Sequence, residues 1–160
     1  MNAIAYLSRL CTRWGGSLEL LSPRRFENAR RCNGRSTHPL SFHAIDRGSR
    51  VVFARAGHAS PGSIIHEMGH VFLDEGDPVA DNEPDWIGWE IVVARKARCF
   101  REWSKQNSDY SLEFEGEYVL WAELEDGAML RRLIADRIDH AMSLGLVSRK
   151  GEPLCTRGAS

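Results

Sequence analysis

The segment 66–70 reads His-Glu-Met-Gly-His, so its two histidines are four positions apart. On an α-helix, positions i and i+4 lie on one face, which places the imidazoles of His66 and His70 one turn apart. Two neutral imidazoles can bind Zn²⁺, and a neighbouring carboxylate can accept a proton from a zinc-activated water. The pattern predicts a helix with His66 and His70 as zinc ligands and Glu67 as a general base.

The flanking residues favour a buried helix around this motif. Ser60 followed by Pro61 is typical of a helix start, with Ser60 as the N-cap and Pro61 at the first helical position. An apolar stripe surrounds the histidine pair: Ile64, Ile65, Met68, Val71 and Phe72. Two histidines on the surface of an ordinary helix are the alternative interpretation.

A catalytic zinc ion usually has three protein ligands, so the third has to come from elsewhere in the chain. Glu90 is the best candidate, because it lies in an apolar run over residues 86–94 and an unpaired buried carboxylate is costly. Zn²⁺ would compensate this charge, and a salt bridge to an arginine such as Arg95 is the alternative. Four acids nearer to helix ends stay open as third ligands, the first two ahead of the others: Glu83, Asp85, Asp74 and Asp77.

Two glycines interrupt the predicted ligand-bearing helices. Gly69 and Gly88 each cost a helix about 1 kcal/mol relative to alanine. Since small residues let helices approach closely, both glycines predict close packing between the motif helix and the helix of Glu90.

The remaining sequence predicts helices and short strands around the motif. Helical patterns cover residues 1–14, a long helix from about Pro84 to Ser104, and residues 128–144. Strands are expected at residues 17–21, 40–45 and 50–54, and the turn at 46–48 joins the last two in a hairpin before the motif helix. Residues 106–117 are polar, with a loop expected at residues 107–109, and residues 118–124 fit either strand or helix.

Composition is typical of one globular domain, with 160 residues, 42% hydrophobic and 27% charged. We expect the domain to span residues 1–146 and residues 147–160 to form a flexible tail. No apolar run predicts a membrane span or a signal peptide. Scattered cysteines indicate free thiols of a reduced, cytoplasmic protein: Cys11, Cys32, Cys99 and Cys155.

A basic segment over residues 24–35 contains five arginines, while the net charge of the chain is −1. Such a segment could contact phosphates or an acidic partner. A solvated loop or short helix is favoured, because no known nucleic-acid motif accompanies the arginines. Nucleic acid is therefore the less favoured partner.

Residues 66–70 followed by Glu90 twenty positions after His70 resemble the gluzincin branch of zinc peptidases, of which the thermolysin-like enzymes place their third-ligand glutamate at this spacing. The small size, the hairpin before the helix and the Ser60-Pro61 start also resemble the ImmA/IrrE-type peptidases of phages and mobile elements. This resemblance covers about residues 51–97. Ala94 stands where thermolysin-like proteins carry an aspartate, and a clear Glu-x-x-Ala-Asn-x-Phe-Ala block of the ImmA type is lacking.

The resemblance implies a zincin-like α+β fold, in which a small sheet with a strand hairpin precedes the active-site helix. A second ligand-bearing helix and a C-terminal helix pack with it. The implied activity is zinc-dependent hydrolysis of peptide bonds, with His66, His70 and Glu90 holding Zn²⁺ and Glu67 as general base. The strand over residues 51–54 is expected to hold the substrate backbone.

Protein or peptide substrates follow from this reaction, and a regulatory protein partner stays open. Candidate donors to the developing oxyanion are left unassigned: His58, Tyr110, Tyr118 and His140. The alternative is a catalytically silent zincin-like protein that binds a partner or associates with nucleic acid, with zinc in a structural role.

Overall fold

The computed structural model describes residues 2–33, 40–46, 48–73, 83–108, 110–124 and 127–157. In chain order the elements are α1 (Ala3–Arg13), β1 (Ser17–Leu21), α2 (Pro23–Asn33), β2 (Ser41–Asp46), β3 (Ser49–Arg55), α3 (Pro61–Phe72), α4 (Glu83–Lys96), α5 (Phe100–Gln106), β4 (Ser111–Phe114), β5 (Glu117–Leu120), a 3₁₀ turn (Trp121–Glu123) and α6 (Gly127–Ser143). The architecture is mixed α+β, as predicted. Among the described residues, none of the helices is long and apolar enough to cross a membrane.

The main sheet has the strand order β1-β3-β2, with β3 parallel to β1 and antiparallel to β2. The predicted hairpin between β2 and β3 is therefore confirmed. Because side chains alternate along a strand, directly paired residues share a face. His43 is paired with Val52, and Phe42 is paired with Phe53.

These two pairs define the two faces of the sheet. Val52 belongs to the main core, together with residues of α1 and α3, whereas Phe42 and Phe53 pack in a small cluster with Phe26 of α2. His43 therefore lies on the α3 face. The strand alternation brings a polar residue of β2 toward the helix that carries the histidine motif.

Helix α3 starts and packs as its sequence predicts. The Ser60 side chain accepts a hydrogen bond from the backbone N–H of Ser63, and Pro61 occupies the first turn. All five residues of the predicted apolar stripe are completely buried: Ile64, Ile65, Met68, Val71 and Phe72. The histidine motif thus sits on a helix that is held in the core.

The predicted long helix is wrong, because the chain forms two helices, α4 and α5, between residues 83 and 106. Arg98 adopts a left-handed conformation with φ of 58°, and the chain turns there before Phe100. Apolar residues such as Trp103 continue the helical pattern past this turn, which hides the break in the sequence.

A short hairpin over residues 111–120 follows α5, in a segment whose first part the sequence analysis described only as polar. Strands β4 and β5 pair antiparallel, and Leu112 and Phe114 of β4 are buried. Glu115 and Gly116 connect them, both with positive φ, as two-residue hairpin turns require. Farther upstream, residues 24–33 of the basic segment belong to helix α2, and a short helix was one of the two predicted alternatives. Residues 34 and 35 lie outside the described residues.

Residues 147–157 pack against the helices, so they are not the loose tail that the sequence predicted. The indole N–H of Trp89 donates to the carbonyl of Leu154 at 3.0 Å. The backbone N–H of Thr156 donates to the carbonyl of Phe72 at 2.9 Å, and the Arg157 side chain donates to the carbonyl of Leu73 at 3.0 Å. This segment satisfies carbonyl groups at the end of α3 that the helix itself leaves without partners.

Gly69 and Gly88 permit close packing between different pairs of helices. A Cβ atom at Gly69 would lie 3.3 Å from the indole of Trp86 on α4, which agrees with the predicted approach of α3 and α4. A Cβ atom at Gly88 would lie 2.0 Å from the carbonyl oxygen of Arg137 on α6. The prediction that Gly88 faces the motif helix is therefore wrong, and Gly88 instead permits close packing of α4 on α6.

Gly88→Ala is expected to destabilise the protein by about 1–3 kcal/mol, because the added methyl group forces backbone apart in a packed core. This loss outweighs the roughly 1 kcal/mol that alanine gains in helix propensity. Urea unfolding followed by circular dichroism would measure it. Gly127→Ala is the matched control, since the Cβ there is 3.6 Å from the flexible end of Arg131. Equal stability of the two variants would contradict the prediction.

Candidate metal centre

The imidazoles of His66 and His70 converge on one point. Their Nε2 atoms lie 3.2 Å apart, and the two rings are inclined at 86°. Two nitrogen ligands at about 2.0–2.1 Å on a tetrahedral zinc ion are separated by roughly 3.3 Å. The predicted pair thus has the spacing of two ligands on one metal ion.

Glu67 lies beside this pair and is 7% exposed. Its Oε2 atom is 2.6 Å from Nδ1 of His43 on β2. The His43 ring also stacks on His70, with centroids 4.8 Å apart and an angle of 14° between planes. His43 was missed by the sequence analysis, although the alternation with Phe42 on the predicted strand was a usable signal.

Glu90 is completely buried next to the histidine pair. Its Oε1 atom lies 3.7 Å from Nδ1 of His66, the ring nitrogen other than the one that faces His70. Its Oε2 atom accepts a hydrogen bond from the Tyr110 hydroxyl at 3.4 Å. Within the described residues, three or more potential ligands do not surround a single point. The structure therefore brings Glu90 to the site but on the outer side of His66.

Helix α4 presents Trp86 and Glu90 to α3, because residues four positions apart share a helix face. The Trp86 indole contacts the rings of His70 and His66 edge-on, at centroid distances of 5.0 and 6.1 Å. Gly69 provides the space for this indole. Trp86 is a wall of the site that the motif alone did not indicate.

Among the other candidates for the third ligand, Asp85 is the one whose side chain is described. Asp85 has a 56% exposed side chain and lies 3.0 Å from Nε2 of His140 on α6, away from the face that carries Glu90. The side chain of Glu83, and both Asp74 and Asp77, fall outside the described residues. The alternative salt bridge of Glu90 to Arg95 does not form, since the Arg95 guanidinium lies over the Phe100 ring at 5.5 Å.

Of the four residues considered as oxyanion donors, Tyr110 contacts a predicted site residue, Glu90. His140 is engaged with Asp85 on the other side of α4. Tyr118 is 80% exposed on β5, and His58 is exposed in the turn that follows β3. Tyr110 is thus the one of the four that the described contacts connect to the site.

The central strand β3 is paired on both sides, with β1 and with β2. Its backbone is therefore occupied, and the prediction that residues 51–54 hold a substrate backbone is wrong. The outer edge of β2 has no strand partner among the described residues. Since β2 carries His43, this edge borders the site.

Cysteine chemistry is an alternative source of activity, and all four cysteines are free. Burial raises the pKa of Cys11 to about 12 and, with a smaller contribution from Glu102, that of Cys99 to about 11. The thiolate is the reactive form of cysteine, so these two thiols are poor nucleophiles at neutral pH.

Comparisons with protein-family models, with curated proteins and with solved structures find no match.

Proposed function

We propose that this chain is a zinc-dependent metallopeptidase with a zincin-like fold. The observation that carries the proposal is the 3.2 Å separation of the His66 and His70 Nε2 atoms, with the buried carboxylate of Glu67 beside them. A helix bearing two imidazoles one turn apart and an adjacent carboxylate is one of the arrangements that zinc hydrolases use.

The residues present fit a zinc ion. Two imidazoles and one carboxylate are a common ligand set of catalytic zinc. His66 and His70 would hold the ion through Nε2, and Glu90 is the third ligand that we propose, because it is fully buried beside them. Its carboxylate lies at Nδ1 of His66 and would have to turn toward the Nε2 side to bind the ion. Bound Zn²⁺ would supply a Lewis acid that activates water and polarises a carbonyl group. A cation would also compensate the buried charge of Glu90.

Glu67 is the proposed general base. Its Oε2 atom is engaged by His43, so Oε1 is the oxygen that can accept a proton. The same atom can then deliver the proton to the leaving amine of the cleaved peptide. The chain thus supplies a carboxylate that is held at one oxygen and reactive at the other.

The outer edge of β2 suits an extended peptide substrate. Exposed strand edges bind peptides through main-chain hydrogen bonds, and β2 passes directly beside Glu67 and His70 through His43. A peptide added to this edge would therefore run along the proposed site. This replaces β3 as the strand proposed to hold the substrate.

The test is zinc content together with hydrolysis of a denatured protein such as casein. We expect the wild type to bind about one zinc ion per chain, and His66→Ala and His70→Ala to lose both zinc and hydrolysis, because two ligands cannot replace three. His58→Ala, an exposed histidine, is the control and should keep both. Equal zinc content in all four proteins would refute the metal site, and zinc without hydrolysis in the wild type would favour a binding role.

A further inference from the structure

His43 reaches the site from a different element than the motif does. It lies on β2, paired with Val52 and half-buried, while Glu67 and His70 lie on α3. Its ring contacts both of these residues. The Nδ1 atom lies 2.6 Å from Oε2 of Glu67, and the ring stacks on His70. One side chain therefore connects the proposed base and one proposed metal ligand.

The contact between His43 and Glu67 is a hydrogen bond in which the imidazole is the donor. An ionised carboxylate only accepts, so Nδ1 of His43 carries the hydrogen and donates to Oε2 at 2.6 Å. Hydrogen bonds to a charged acceptor are short and strong. A buried carboxylate also needs such a donor. The bond restrains a side chain that would otherwise rotate about three torsions.

The stacking of His43 on His70 indicates that His43 is not itself one of the metal ligands. Ring-nitrogen lone pairs lie in the plane of an imidazole, and the stacked rings of His43 and His70 are within 14° of parallel. Lone pairs in nearly parallel, stacked planes do not converge on one ion, whereas the rings of His66 and His70, inclined at 86°, can do so. His43 is therefore placed to support the site and not to share the metal with His70.

We infer that His43 is a positioning residue, which holds Glu67 through Nδ1 so that Oε1 faces the reacting water and which supports the ring of His70 by stacking. This inference rests on the proposed function, since it gives Glu67 the role of general base. It adds a residue on the substrate-side strand to a site otherwise built from α3 and α4.

Two substitutions separate the two contacts of His43. His43→Asn keeps an N–H donor near the position of Nδ1 but removes the ring, and His43→Phe keeps a ring on His70 but removes the donor. We expect kcat to fall less than about tenfold in the asparagine variant and about 10²-fold in the phenylalanine variant, because small misplacement of a reacting group costs this much. KM and zinc content should stay near wild-type values in both, and His58→Asn is the control. Equal losses of kcat in the two variants, or a change in KM alone, would overturn the inference.

A second measurement does not depend on hydrolysis or on zinc. Nitrogen-15 NMR of the histidine rings in the metal-free protein should show His43 with its proton on Nδ1 and a downfield proton resonance that Glu67→Leu abolishes. A proton on Nε2 instead would refute the positioning role. If the wild type shows the expected resonance but hydrolyses no protein substrate, the proposed function fails while the contact between His43 and Glu67 stands.

Discussion

Glu67→Gln is expected to lower kcat for peptide hydrolysis by about 10³-fold, within the 10²–10⁴ range that a general base contributes. Glutamine has nearly the same shape as glutamate, and its carbonyl oxygen can still accept the hydrogen bond from Nδ1 of His43. It cannot accept a proton from water. Steady-state kinetics on a peptide cleaved by the wild type would measure the effect, with zinc content measured in the same samples.

Glu19→Gln on β1 is the matched control, because this glutamate is exposed on the strand across β3 from the site. The control should keep wild-type kinetics. Glu67→Gln should keep wild-type zinc content, since the substitution leaves His66, His70 and Glu90 in place. Full hydrolysis by a zinc-loaded Glu67→Gln variant would show that another group acts as the base.

Glu90→Gln is expected to weaken zinc binding by more than about 100-fold, beyond the 10–100-fold loss typical of residues that only orient a ligand. The reason is that a neutral amide replaces the proposed third ligand. Competition with a chelator of known affinity would measure the dissociation constant. Asp85→Asn on the same helix is the control, because Asp85 is exposed and bonded to His140.

The size of this loss decides between two roles for Glu90. Its Oε1 atom lies beside Nδ1 of His66, which is also where a carboxylate orients a ligand histidine. A loss of only 10–100-fold would assign it that orienting role. Unchanged zinc affinity would remove Glu90 from the site altogether.

The same variant should change stability in opposite directions with and without zinc. In the metal-free protein Glu90→Gln replaces a fully buried carboxyl group with a neutral amide, so its Tm should equal or exceed that of the wild type. With zinc added, the wild type should gain more stability than the variant, because the stabilisation by a ligand that binds the folded state grows with the logarithm of the ligand concentration over Kd. A lower Tm of the metal-free variant would contradict this expectation and show that the carboxyl group of Glu90 stabilises the fold without zinc.

The local features of the site could be predicted from the sequence. The start of α3 at Ser60 and Pro61, its buried stripe and the pairing of His66 with His70 depend on residues within a few positions of one another. The burial of Glu90 followed in the same way from its apolar neighbours. Helical periodicity failed at Arg98, where a left-handed residue ends α4 although the apolar pattern continues.

What only the tertiary structure decided is which elements meet. His43 and Glu67 are 24 positions apart, and their contact depends on the register of β2 on β3 and on the side of the sheet that α3 covers. Gly88 faces α6 and not α3 for the same reason, since a glycine allows close approach without specifying the partner. The sequence by itself determined a buried helix that carries His66 and His70 on one face. Packing determined what surrounds it, because contacts across the core are set by the shapes of whole elements and not by neighbouring residues.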